Sequence, residues 1–304
     1  MSEQPPAAPT GERSTSERPV VSVVVPTRNS GRTIAACLDS LRAQAGPPME
    51  IIVVDNGSSD GTWEIAQRLA DQALRGGPER SAQRNAGIAG SRCEFVLWID
   101  SDMVLPPGLV ERAVKEAETA EAEGVFIPEV TVGQGFWTRC RALERRCYVG
   151  EPMIEAPRLV RRRYLVDTGG FVEWLSGTED AELRMRMLRD RVRLARIGPH
   201  IVHDEGRLTL RGVVAKRFYY GRGLSRYRAA HAGAMAGQTR ATARAFLRSR
   251  RMLARHPVLA GGIAIMRAAE VGAYLVGLLA ESIAARNERP EGTELGGGRL
   301  TRRS

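Results

Sequence analysis

FVLWIDSDM, residues 95–103, opens as an unbroken apolar run and stops on the carboxylates Asp100 and Asp102. Continuous apolar character predicts a strand covered on both faces, as in a parallel sheet. Moving toward the N-terminus, EIIVVD (50–55) reads the same way and runs into Asn56-Gly-Ser-Ser-Asp-Gly61, a strong turn signal. Val20 to Val25 is a third such run, ended by Pro26 and followed by the loop Thr27–Gly31. Between these runs Ile34, Leu38 and Leu41, and then Ile65, Leu69 and Ala73, repeat at helical spacing. Strand, helix, strand, helix, strand predicts an α/β chain with a doubly wound, mostly parallel sheet.

Beyond Asp102 the pattern predicts a helix over 106–123, started by prolines, and a strand over 125–130. A helix over 136–148 should carry Phe136, Cys140, Leu143 and Cys147 on one face. Another should start near Thr178-Glu179-Asp180 and bury Leu183, Met187 and Leu188. Arg193 to Ile197 reads as an edge strand. Lys216 to Arg228 interleaves basic and aromatic residues. Two apolar runs, 258–266 and 271–280, are separated by Arg267-Ala268-Ala269-Glu270. Each is too short to cross a bilayer, and one joined helix would bury a charge pair, so a helix lying in the interface is expected.

The chain has 304 residues, 43% of them hydrophobic, enough for a sizeable core. With 45 basic and 35 acidic residues it carries a net charge of +10, concentrated beyond Arg207. That balance points to an anionic partner such as nucleotide phosphate, acidic lipid or nucleic acid. Cys37, Cys93, Cys140 and Cys147 form no C-x-x-C pair, which predicts reduced core thiols rather than a zinc site. The N-terminal stretch lacks a signal-type apolar segment, so a cytoplasmic location is expected. Four regions follow: a disordered tail (1–18), an α/β domain (19–206), a helical, basic, membrane-associated extension (207–286) and a second disordered tail (287–304).

In open α/β sheets, ligands bind at the carboxyl ends of the strands. Here those ends carry Asp55, Asp100 and Asp102. Two adjacent carboxylates repel unless a cation lies between them. Hard oxygen donors suit a divalent metal, Mg²⁺ or Mn²⁺, shared with substrate phosphates. Asp55 reads either as an Asx-turn residue or as an acceptor for the imide or ribose of a nucleotide. Arg84, in Arg84-Asn85-Ala86-Gly87, can fork onto phosphate. Glu179 and Asp180 fit a helix N-terminus on dipole grounds alone. His203 reads as a structural hydrogen-bonder or as a metal ligand.

Taken in order, VSVVVPTRN (21–29), EIIVVDNGSSDGT (50–62), RNAGIA (84–89), FVLWIDSDM (95–103), TGGF (168–171) and TEDAELRMR (178–186) resemble the motif set of family-2 glycosyltransferases of the GT-A fold. The resemblance covers residues 20 to 205. It implies a Rossmann-like nucleotide-binding half. It also implies inverting, metal-dependent transfer of a sugar from a nucleotide-diphosphate donor to a glycan, lipid-linked or small-molecule acceptor. By position, Pro26, Thr27 and Asn29 resemble the first nucleotide loop, and Asp55 the base-binding aspartate. Arg84, Asp100 and Glu179 fall with the donor-binding residues, Asp100 near the ribose. Asp102 resembles the metal ligand, Asp180 the catalytic base, and His203 a downstream His that completes metal binding in some members.

Two departures stand out. The short strand expected before the Arg-Asn motif is represented by Leu74-Arg75-Gly76-Gly77-Pro78, with no β-branched run, and Asn56 replaces a frequent second Asp. The Gln-x-x-Arg-Trp element of processive synthases is absent, which favours single-sugar transfer. A sugar nucleotidyltransferase should carry a Gly-rich, Arg- and Lys-bearing loop after the first strand, and Pro26–Asn29 is not one. A basic nucleic-acid-binding protein or a non-catalytic scaffold is the non-enzymatic rival. No nucleic-acid module surrounds the basic stretch, and the acids are intact. The expected further partner is an anionic membrane surface, the inner face of the cell membrane.

Overall fold

A computed structural model describes residues 19–175, 177–221 and 232–287. In chain order, β1 (Val21–Thr27), α1 (Ile34–Arg42), β2 (Met49–Asp55) and α2 (Thr62–Leu69) lead to β3 (Gln72–Arg75), α3 (Arg80–Gly90) and β4 (Phe95–Trp98). Next come β5 (Met103–Val104), α4 (Leu109–Thr119), β6 (Gly124–Phe126), β7 (Glu129–Val132) and α5 (Phe136–Tyr148). They are followed by β8 (Pro157–Arg161), α6 (Arg162–Asp167), α7 (Glu179–Arg189), β9 (Leu194–Arg196) and β10 (Ile201–Asp204). The chain continues with α8 (Leu210–Gly221), α9 (Ala232–Arg248), α10 (Arg250–Ala254) and α11 (Pro257–Asn287). The contacts divide it into two compact units. The first comprises residues up to Ile127 with 157–170 and 193–199; the second comprises 128–156, 171–192 and the residues from His200 onward.

The first unit is built on a seven-stranded sheet of order β3-β2-β1-β4-β8-β6-β9. β1 lies parallel to both β2 and β4, and β2 lies parallel to β3. β8 is the exception, antiparallel to β4 and β6, while β9 returns parallel to β6 at the edge. Every residue of β1 is buried, as a strand covered on both faces demands. Its register with β2 sets Thr27 beside Asp55 at the carboxyl ends. Helix α3 lies close on β1. A Cβ at Gly87 would come within 2.3 Å of the Val24 side chain, so glycine is what lets the helix sit there.

Several boundaries differ from the expectation. Ala73 belongs to β3, not to the preceding helix, which ends at Leu69. Pairing with β2 forms that short strand in spite of its poor β composition. The prolines at 106 and 107 precede helix α4 rather than start it. The single strand expected over 125–130 is two, because Pro128 separates β6 from β7, and these belong to different sheets.

In the second unit β7 pairs in parallel with β10. Helices α5, α8, α10 and α11 enclose a core of Cys140, Leu143, Val213, Ile263 and Met266, with Phe136, Trp137, Phe246 and Leu259 packed against it. Helices α8 and α11 touch backbone to backbone: a Cβ at Gly277 would lie 2.6 Å from the Phe218 carbonyl oxygen. The two apolar runs expected to stand apart are one continuous helix, α11. Glu270 is 2% exposed, and its charge is answered. It ion-pairs with Arg141 of α5, with Arg217 of α8 at 3.1 Å and with Arg267 at 3.3 Å. Arg267 also ion-pairs with fully buried Glu144 at 2.5 Å, and Tyr148 donates to Glu144 at 2.7 Å. The charges that argued against one joined helix are those that fasten it to its neighbours.

All four cysteines are free and buried. The two expected tails lie outside the described residues apart from Asn287, and so do residues 222–228 of the basic-aromatic stretch.

Candidate functional site

Three loops leave the carboxyl ends of β1, β2 and β4 in the first unit, and hydrogen bonds stitch them together. The Asn29 amide donates to the Ser58 hydroxyl at 2.8 Å, and the Ser59 amide donates to the Asn29 side-chain oxygen at 3.0 Å. The Ser30 amide donates to the Thr62 hydroxyl at 2.8 Å, and the Gly31 amide to Asp60 at 2.9 Å. Asn29 sits at φ 50°, a left-handed conformation that Asn tolerates better than most residues. The Ser101 hydroxyl donates to that of Ser30 at 2.7 Å, tying in the third loop. Hydrogen bonds from the Thr62 hydroxyl and the Gly31 amide hold the Asp60 carboxyl below the usual carboxylate range.

Asp55 is fully buried at the end of β2. It accepts from the Ser58 amide at 3.0 Å and from the Ser58 hydroxyl. This is the Asx-turn arrangement, and it fixes the direction of the carboxylate. The Gln83 side chain donates to Thr27 O at 2.9 Å and to Val54 O at 2.7 Å, which locks the ends of β1 and β2 together.

Arg84 is fully buried, and its guanidinium reaches Asp100 at 3.2 Å; Arg80, one turn earlier, lies at 3.8 Å. Two guanidiniums thus answer the charge on Asp100, while Asp102 is half-buried two residues on. Both carboxylates act on one neighbour. Burial pushes the Cys37 thiol well up, and the negative charges of Asp102 and Asp100 push it further. The carboxylate oxygens of Asp100 and Asp102 are hard donors of the kind that Mg²⁺ or Mn²⁺ prefers. Among the described residues no three His, Cys, Asp or Glu side chains gather to cage an ion by themselves.

The second unit holds the other candidates. Helix α7 opens on Glu179, which is buried, and Asp180, which is half-buried; neither is capped by the Thr178 side chain. Gly177, at φ 78°, precedes them with the Tyr220 ring where a Cβ would stand. His203 lies on β10, 9% exposed, with Nδ1 3.3 Å from Glu129. Glu129 pairs with Arg145, which also binds Glu205 at 2.9 Å. The carboxylate of Glu129 within hydrogen-bonding reach of Nδ1 orients the ring.

The structure thus brings Thr27, Asn29, Asp55, Asp100 and Asp102 to the strand ends of one unit, with Arg84 reaching Asp100 from α3, and places Glu179, Asp180 and His203 in the other. Sequence reading passed over Ser58, Gln83, Arg80 and Glu129. Two had signals. Ser58 stands three residues after Asp55, the spacing of an Asx turn, and Arg80 stands four before Arg84, on the same helix face. Gln83 and Glu129 act across the fold and left none.

A strand-end ligand site with paired acids on a mostly parallel sheet is the arrangement of a nucleotide-binding α/β enzyme. The family model for glycosyl transferase family 2 matches residues 22–173, half of the chain, and the chain belongs to that family. The uncharacterized glycosyltransferase EpsJ of Bacillus subtilis is 32% identical over 152 residues, 47% of this chain and 41% of its own length. The succinoglycan biosynthesis protein ExoA of Rhizobium meliloti is 29% identical over 187 residues, 54% of this chain and 57% of its own. The chain therefore spans about half the length of these relatives. Among solved structures, the mannosyltransferase PcManGT of Pyrobaculum calidifontis, in complex with GDP-Man and Mn²⁺, aligns with a TM-score of 0.59 at 22% identity, covering 89% of each chain. TarS residues 1–349 of S. aureus with UDP gives 0.51 at 18% identity, covering 88% of this chain and 92% of that one. These likenesses establish the GT-A fold.

Proposed function

We propose that the chain transfers one sugar from a nucleotide-diphosphate donor to an acceptor hydroxyl, with inversion at the anomeric carbon and with a divalent metal. The observation that carries this reading is the stitched set of strand-end loops, which holds Thr27, Asn29, Asp55 and Asp100 on one rim with the buried Arg84 behind it. The Thr27 hydroxyl is buried without a hydrogen-bond partner among the described residues, a group that a donor nucleotide would satisfy. Pro26 lies inside β1, paired with Val54, rather than ending the strand, and it would help form the wall of the nucleotide loop. Asp55 would accept from the base, and Asp100, steadied by its two arginines, would lie near the ribose.

Asp102, with His203, would hold Mn²⁺ or Mg²⁺, which offsets negative charge on the departing nucleoside diphosphate. Asp180 would take the proton from the acceptor hydroxyl, and Glu179 would help hold the donor. The helix N-terminus favours an ionised carboxylate at Asp180. The acceptor class is a glycan, a lipid-linked sugar or a small molecule of cell-envelope glycan assembly. The protein would work in the cytoplasm, peripherally on the inner face of the membrane.

The test is release of nucleoside diphosphate from a panel of UDP-, GDP-, ADP- and dTDP-sugars with Mn²⁺, followed by NMR of the anomeric configuration of the product. Release from one donor class, lost on chelation and accompanied by inversion, is expected. Release that survives chelation removes the metal, and retention of configuration removes the single displacement.

A further inference from the structure

Between Pro257 and Ala280 the only charged residues are Arg267 and Glu270, and both are engaged by α5 and α8. Over Pro257–Ala280 the opposite side of α11 is apolar. Val258, Ile265, Val271, Leu275, Val276 and Leu279 are each more than half exposed, and the exposed positions between them are glycine and alanine. A helix on a protein in water turns its charges outward and its apolar stripe inward. Here the charges face the protein and the apolar residues face away, so this side is built for a non-aqueous neighbour.

What lies beside the apolar face identifies that neighbour. Arg250, Arg251 and Arg255 are exposed immediately before Val258, with Leu247 65% exposed one turn earlier. Glu270, which is buried, is the sole acidic residue between Arg207 and Ala280. Exposed arginines at the edge of an apolar face match acidic lipid headgroups bordering acyl chains. A second copy of the chain is a poorer match, because it would bring the same arginines. Length alone would permit crossing: 24 residues at 1.5 Å each span about 36 Å against a hydrocarbon thickness of about 30 Å. The inner side forbids it. It is fastened to α5 and α8, which carry exposed Arg139, Arg146 and Lys216, and a spanning α11 would draw these into hydrocarbon.

We propose that α11 lies in the plane of an anionic bilayer, with its outer face among the acyl chains and Arg250, Arg251 and Arg255 on the headgroups. This deepens the peripheral location proposed above and rests on it, but not on the transfer chemistry. The experiment uses the full chain with an environment-sensitive fluorophore at Leu275→Cys, the four native cysteines being buried. Vesicles are phosphatidylcholine with or without phosphatidylglycerol. Expected are flotation with the acidic vesicles only, a blue shift of the probe and its quenching by acyl-chain spin labels. The exposed-face double variant L275D/L279D should lose flotation while keeping its unfolding midpoint, and R250Q/R251Q/R255Q should lose the preference for acidic lipid. Absence of flotation, equal flotation of L275D/L279D, or a probe buried without lipid in a concentration-dependent dimer each overturns the proposal. Nucleotide-diphosphate binding is measured on the same samples. If binding is retained without flotation, only the lipid face is lost; if flotation is retained without binding, only the transfer reading is.

Discussion

Asp55 is fully buried, and its carboxylate is aimed by the amide and the hydroxyl of Ser58. A hydrogen bond to a charged group is worth about 1.5–3 kcal/mol. Ser58→Ala should lower stability by up to about that amount and weaken nucleotide binding, and Ser58→Thr, which keeps the hydroxyl, should restore both. Thermal unfolding with a nucleotide titration checks this; unchanged binding in Ser58→Ala would mean that Asp55 takes no part. At Asp180 the proposed task is proton removal, typically worth about 10²–10⁴-fold in rate. Asp180→Asn should lower single-turnover transfer by that range at saturating donor and leave donor affinity intact, with Glu179→Gln milder. A dead Glu179→Gln beside an active Asp180→Asn would shift the base by one residue.

Helix α3 shows how an element serves the site. Arg80, Gln83, Arg84 and Gly87 all face the sheet, so the seating of α3 on β1 sets the strand ends as well as the charge on Asp100. Gly87→Ala places a Cβ against Val24, and overpacking of this kind typically costs about 1–3 kcal/mol. The expected outcome is a lower unfolding midpoint together with weaker nucleotide binding; an unchanged midpoint would show that α3 can slide. Helix α11 is held by charge. Burial pushes the Glu270 carboxyl up, but Arg217 and Arg141, with Arg267, more than offset this and hold it below its ordinary 4.5. A lowered folded value means that the stabilisation is complete above the unfolded value and is lost as pH falls through the folded one. Breaking a buried ion pair typically costs about 3–5 kcal/mol. Glu270→Gln should therefore be less stable than the parent at neutral pH, and the gap should narrow only as pH falls below the ordinary 4.5. Denaturant unfolding across pH measures it, and a gap independent of pH would exclude the ionised carboxylate as its source.

For the whole molecule, the parallel half of the sheet was legible because β1, β2 and β4 are buried on both faces and therefore uniformly apolar. The strand-end acids were legible for the same reason, since a carboxylate that ends such a run has no packing role. β3 and the split of β6 from β7 were not, because pairing with β2 and the break at Pro128 act against local composition. The single helix α11 was misjudged because Arg267 and Glu270 look unaffordable until Arg141, Glu144 and Arg217 arrive from elements over fifty residues away in sequence. The central claim is that the stitched strand ends hold a nucleotide diphosphate together with a metal. The most direct measurement is thermal unfolding of the full chain with nucleoside diphosphates and their sugars, with and without Mn²⁺, in parallel with Asp102→Asn. A ligand at about a hundred times its dissociation constant stabilises by about 2.7 kcal/mol. The account predicts a saturable, Mn²⁺-dependent rise in midpoint for one nucleotide class, with the Mn²⁺ dependence gone in Asp102→Asn. No rise with any nucleotide, or the same Mn²⁺-dependent rise in Asp102→Asn, would contradict it.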